Sequence, residues 1–92
     1  MRSNALRVHD SDNVAVAVQR IAKGDTVVIG GGPFCQAAED IELGHKVALA
    51  AIASGHDVVR YGEPIVRAAC DIQRGQWVHV HNTQPVPGHL KE

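Results

Sequence analysis

The sequence predicts a small, mainly β domain made of two copies of one motif, with a pseudo-two-fold relation between its halves. Three observations carry that prediction: the spacing I-x-x-G-x-x-V occurs four times, the segments 21–47 and 52–78 match without a gap, and the β-branched runs are short and lie beside glycines. The four units are Ile21/Gly24/Val27, Ile41/Gly44/Val47, Ile52/Gly55/Val58 and Ile72/Gly75/Val78. Offset by 31 residues, the two segments share thirteen identities over 27 positions, beyond what composition gives. A chain of 92 residues has room for one such domain and little surface to spare for a deep cleft.

Taken in order, "NVAVAVQRI" reads as a strand because Val and Ala alternate strictly from Val14, although Val14, Val18 and Ile21 would also fit a helical stripe. Each I-x-x-G-x-x-V unit then supplies an apolar anchor, a turn whose glycine takes positive φ, and a strand that starts at Val. Gly24, Gly44, Gly55 and Gly75 are these turn residues, and Gly62 is a fifth, between "DVVRY" and Pro64. "TVVIG", "DVVRY" and "WVHVH" read as strands. "PIVRAACDI" has Pro64 where a short helix could begin, as does its partner "PFCQAAEDI", but neither is long enough to persuade. The domain is expected over residues 1–84, and "QPVPGHLKE", with two prolines and a glycine, gives a tail or linker over 85–92.

Nine basic and ten acidic side chains nearly cancel, so no charge footprint for nucleic acid or an anionic membrane is present. With one Trp, one Tyr and one Phe, the core must come from Val, Ile, Leu and Ala. Cys35 and Cys70 lack metal-site spacing and read as reduced, buried residues, with a single bridge as the alternative. The N-terminus lacks the apolar run of a signal peptide and no stretch approaches a membrane span, so a cytoplasmic location is expected.

Positions shared by the two copies serve the common scaffold, so chemically rich mismatches are the candidates for function. His79 and His81 stand opposite Ala48 and Ala50. On a strand, Trp77, His79 and His81 would share one face while Val78 and Val80 enter the core. Such an H-x-H pair can ligate one metal ion if a third ligand converges, with His45, Asp57 and Glu63 the nearest by register; solvated or hydrogen-bonded histidines are the alternative. His45 and Lys46, opposite Gln76 and Trp77, pair a switchable donor with a compact cation and suit a carboxylate or hydroxyl-rich anion, unless they decorate a surface turn. "RYGEP" replaces "IGGGP", placing Arg60, Tyr61 and Glu63 around a glycine loop; a half-buried packing role for Tyr61 is the alternative. "GGGP" lacks the spacing of a phosphate loop and reads as a hairpin connection, and no serine context supports a nucleophile.

The combination "HDSDNVAVAV", "GHKVAL", "YGEPI" and "VHVHN" resembles the SAF domain at the N-terminus of altronate and galactarate dehydratases, and equally the separate small subunit of sulfolactate sulfo-lyase and of split sugar-acid dehydratases. The likeness spans residues 9 to 83. It implies a β-clip fold, and a lyase whose catalytic machinery lies in a much larger catalytic subunit or domain, which this chain would cap. It also implies a divalent metal, commonly iron(II), in the complete enzyme, with no cofactor held by this chain alone, which would be inactive by itself. The matching positions are Gly44, His45 and Lys46; Tyr61, Gly62, Pro64 and Ile65; and His79, Val80, His81 and Asn82, with Glu63 beside them. Val66 departs from the pattern, which commonly has glycine there. Altronate, galactarate and sulfolactate all stay open as substrates. A non-catalytic module holding a carbohydrate or a protein is the reading from another class, and open strand edges leave room for a homodimer.

Overall fold

The alternating run Val14–Ala17 lies at the centre of the molecule because side chains on both of its faces are buried. A strand covered on both sides must be apolar at every position, and small residues let two layers approach it closely. In the computed structural model, described over residues 1–86, all the regular elements are strands. They are β1 (Ala5–Leu6), β2 (Val14–Ala17), β3 (Thr26–Ile29), β4 (Gly32–Gln36), β5 (Lys46–Ala48), β6 (Asp57–Arg60), β7 (Glu63–Ala68), β8 (Trp77–Val78) and β9 (Thr83–Gln84). The greater part of the expected tail, from residue 87, lies outside the described residues. No helix among them is long and apolar enough to cross a membrane.

An antiparallel sheet of order β1-β2-β5-β8 divides two cores. On one face Ala15, Ala17 and Val47 pack with Ile21, Val27, Ala37 and Ile41. On the other, Val14, Ala48 and Val78 pack with Ile52, Val58, Ala68 and Ile72. The hairpin β3-β4 belongs to the first core and the three-stranded unit β6-β7-β9 to the second. Strand β5 therefore closes the first copy and opens the second. Its pairing with β8 (Val47↔Trp77) repeats its pairing with β2 (Val16↔Lys46) at the same 31-residue offset.

The eight anchors of the four repeat units, four Ile and four Val, are all buried. The isoleucines pair across the chain: Ile21 with Ile41 and Ile52 with Ile72, each through two backbone hydrogen bonds of 2.8 Å. Truncating such a side chain to Ala costs about 2–5 kcal/mol, so these pairs are a large share of a small domain's stability. Between each Ile and Val, a four-residue turn is closed by an i→i+3 hydrogen bond, with its glycine at φ of +84 to +89°. A positive φ at the third position is the type II geometry, which disfavours residues carrying a Cβ.

Both hairpins carry a register shift, between Val27 and Val28 and between Val58 and Val59. The amide of Asn4 fills the first gap, accepting from Val28 N at 2.8 Å and donating to Thr26 O at 2.9 Å. Asn13 does the same in the second, with Val59 N at 2.8 Å and Asp57 O at 2.9 Å. A bulge leaves backbone groups without ladder partners, and these side chains supply them.

The helix start considered at Pro64 is absent, since Glu63–Ala68 is strand β7. The β-branched Ile65 and Val66 and the bonding to β9 favour that outcome. Cys70 is exposed rather than buried, Cys35 is half-buried, and both thiols are free.

Candidate functional site

The strand expected across "WVHVH" ends at Val78. His79 begins a turn, closed by Asn82 N donating to His79 O at 3.1 Å, and Val80 is 78% exposed at its tip instead of entering the core. Asn82 causes the reversal. Its buried side chain accepts from His79 N at 2.9 Å and donates to Trp77 O at 2.8 Å, while Thr83 Oγ1 donates to His79 O at 2.9 Å. Two backbone partners occupy the Asn82 amide, so this candidate shapes the loop rather than facing a ligand.

The turn still gathers the rings. His79 stacks on Trp77 with centroids 5.0 Å apart, His81 tilts against the indole at 4.8 Å, and His45 stacks on both Trp77 and His79 at 5.5 and 5.1 Å. His45 reaches them because it immediately precedes β5, on the face of Val47 and its cross-strand partner Trp77. The indole N–H donates to His45 Nδ1 at 3.0 Å, which places the proton of the neutral imidazole on Nε2. Glu39, from the segment after β4, accepts from Trp77 N at 3.0 Å and fixes the start of β8. Glu39 escaped sequence reasoning because its partner in the other copy is Cys70, a mismatch that carries no obvious chemistry.

Lys46 does not join this wall. It pairs with Val78 across the sheet, so it shares the face of Val78 and Ala48, opposite to Trp77. There it is half-buried, and burial, with a smaller contribution from the nearby Arg60 guanidinium, holds its ammonium below the usual lysine range. Arg60 ends β6 and lies over the Tyr61 ring at 4.7 Å. Tyr61 is not a half-buried packing residue: it sits 53% exposed at the β6-β7 hairpin tip with φ of +57°. Tyr61 and Gly62 occupy the positive-φ pair that Gly30 and Gly31 supply in the other hairpin. Type I′ turns require that pair, and a tyrosine there carries strain.

A buried carboxylate holds this tip. Asp12 accepts from Gly62 N at 2.8 Å and His9 N at 3.1 Å. Burial pushes Asp12 upward, but the backbone donors of Gly62, Tyr61 and His9, with the His9 ring, outweigh it and leave the carboxyl below its ordinary value. In the first copy Ser3 Oγ takes the equivalent role, accepting from Gly31 N at 2.9 Å. "SN" and "DN" at residues 3–4 and 12–13 thus form a second, short repeat, the signal from which these residues could have been read.

The implied metal does not fit the described residues. Among them no three His, Cys, Asp or Glu side chains gather as a ligand set. His45 and His79 lie nearly parallel, 22° apart, so their in-plane lone pairs do not meet at one point. Asp57 is paired with Arg67 at 3.1 Å, and Glu63 is exposed at the start of β7. What the wall offers is hydrogen bonding from ring edges and apolar ring faces, on open surface. A cavity of about 420 Å³ is formed elsewhere, lined by Ala51, Ile52, His56 and Asp71 among others and by none of the candidate site residues.

Duplicated strands, paired glycine turns and a one-sided imidazole wall define a small all-β module. The chain belongs to the altronate/galactarate dehydratase SAF domain family, whose model matches residues 3–85. No curated protein matches it.

Proposed function

We propose that this chain is the small subunit, or an N-terminal SAF domain, of a lyase that dehydrates a sugar acid such as altronate or galactarate, and that it caps the active site of a large catalytic subunit in the cytoplasm. Membership of the family supports the reaction class. The observation that carries the capping role is the wall of His45, Trp77, His79 and His81, which gathers polar ring edges on one face of the sheet. Ordered ring edges on a rigid sheet suit a hydroxyl-rich anion held against a second surface.

In this reading His45 Nε2–H donates to a substrate hydroxyl or carboxylate, Trp77 fixes that imidazole's orientation, and His79 and His81 exclude water around it. Lys46, on the other face of the sheet with Val78, lies outside this contact and is not assigned to the substrate. The divalent metal that the family resemblance implies would be held by the large subunit rather than by residues of this chain.

Copurification with the large subunit, followed by a sugar-acid screen on the complex, tests the proposal. The complex is expected to dehydrate substrate and the 92-residue chain to be inactive. Turnover by the chain alone, or unchanged turnover of a complex lacking it, would overturn the division of labour.

A further inference from the structure

The two copies also differ beside their isoleucine pairs. In the first copy Arg20 lies along the Ile21/Ile41 pair and binds Asp40 Oδ2 at 3.1 Å and Glu42 Oε2 at 3.0 Å. The 31-residue offset puts Ala51 at the position of Arg20, Asp71 at Asp40 and Gln73 at Glu42. Ala51, Asp71 and Gln73 line the 420 Å³ cavity, together with the Ile52/Ile72 pair, Ala53 and His56. By repeat register, the cavity lies where the other copy places Arg20 and its two carboxylate partners.

Its acceptors are already oriented. Asp40 Oδ1 is held by Lys23 N at 2.9 Å, leaving Oδ2 for Arg20. Asp71 Oδ1 is held in the same way by Ser54 N at 2.8 Å, and among the described residues no cation pairs with this carboxylate. Gln73 can present an amide oxygen where Glu42 presents a carboxylate. With His56 and Gln73 in place of Asp25 and Glu42, the second site keeps one formal negative charge, so it recognises the planar guanidinium by shape and hydrogen bonding as much as by charge.

We infer that the Ala51–Asp71 cavity is a binding site for an arginine side chain presented by a protein partner, whose guanidinium takes the place that Arg20 takes in the first copy. The partner's arginine arrives from outside, where Ala51 has no side chain to send. An exposed pair of this kind binds weakly by itself, so the site sets the position of a partner within a larger interface. The inference does not depend on the proposed lyase reaction.

The test is titration of the ¹⁵N-labelled chain with N-acetyl-arginine amide and, separately, N-acetyl-lysine amide, followed by amide shifts of Ser54, Asp71 and Ile72. Saturable millimolar shifts with the arginine probe are expected, at least several-fold weaker with lysine. Ala51→Arg, which fills the cavity from within, and Asp71→Asn, which keeps the acceptor for Ser54 but removes the charge, should both abolish them. No saturable shift in the wild type, equal response to the two probes, or an undiminished response of Asp71→Asn would overturn the site. A wild-type dimer that Ala51→Arg dissolves would overturn assignment to a different protein and put a second copy's arginine in the cavity.

Discussion

The indole N–H of Trp77 donates to Nδ1 of His45 across 3.0 Å, joining the start of β8 to the start of β5 and setting the tautomer of the imidazole. In repeat terms each stands where the other copy has a residue of different chemistry, Lys46 for Trp77 and Gln76 for His45. The bond is thus an addition to the shared scaffold rather than part of it.

Trp77→Phe keeps much of the stacking but removes the donor. It should cost about 0.5–1.5 kcal/mol in urea unfolding, the worth of one hydrogen bond. The ¹⁵N shifts of His45 should move toward a mixture of tautomers, and turnover of the reconstituted complex should fall. Retained turnover with an altered tautomer would separate His45 from the reaction.

Gly75→Ala and Gly55→Ala change the same turn position in two units yet should differ sharply. Both glycines have φ near +90°, which costs a residue with Cβ about 1–2 kcal/mol. At Gly55 the new Cβ meets nothing within 4 Å, whereas at Gly75 it would stand 2.3 Å from the Gln36 carbonyl oxygen. Gly55→Ala should remain folded, and Gly75→Ala should lose more than about 4 kcal/mol and unfold, as circular dichroism will register.

Asp12→Ala strands the backbone donors of Gly62 and His9 and should cost about 1–3 kcal/mol at neutral pH. Because the folded-state carboxyl lies below its ordinary value of 3.8, its contribution is fully present above that value and is lost as pH falls through the lower folded value. The stability gap between wild type and variant should therefore narrow as pH falls below 3.8.

Lys46→Met should stabilise the chain at neutral pH. The folded ammonium titrates below 10.5, so the unfolded chain binds more protons just below that pH and wild-type stability rises toward it. Thermal melts from pH 7 to 10.5 should show that rise in wild type and its loss in Lys46→Met. Substrate KM in the complex should stay unchanged, since Lys46 faces away from the imidazole wall, and a raised KM would bring it into substrate binding.

The scaffold was legible because its determinants are local and repeated. Four Ile, four Gly and four Val recur at one spacing, and each does the same thing in every unit: Ile pairs, Gly turns, Val packs. The candidate site was less so. His45 and Lys46 are neighbours in sequence but a pleated strand sends them to opposite faces. His79 and His81 were expected on a strand that Asn82, from inside the core, instead folds into a turn. Tyr61 at positive φ is readable only once Asp12, about fifty residues earlier, is seen holding Gly62.

By itself, then, the sequence determined the duplication, the mainly β class, the turn glycines and the apolar residue types of the core, since burial and backbone conformation leave periodic marks on composition. The tertiary structure alone decided that β5 serves both copies, that four rings from two segments form one wall, that Asn4 and Asn13 fill the hairpin bulges, and that Ala51, His56, Asp71 and Gln73 line one cavity. Each of these depends on contacts between residues far apart in the chain. Such contacts are set by sheet register and close packing, which leave no local pattern to read.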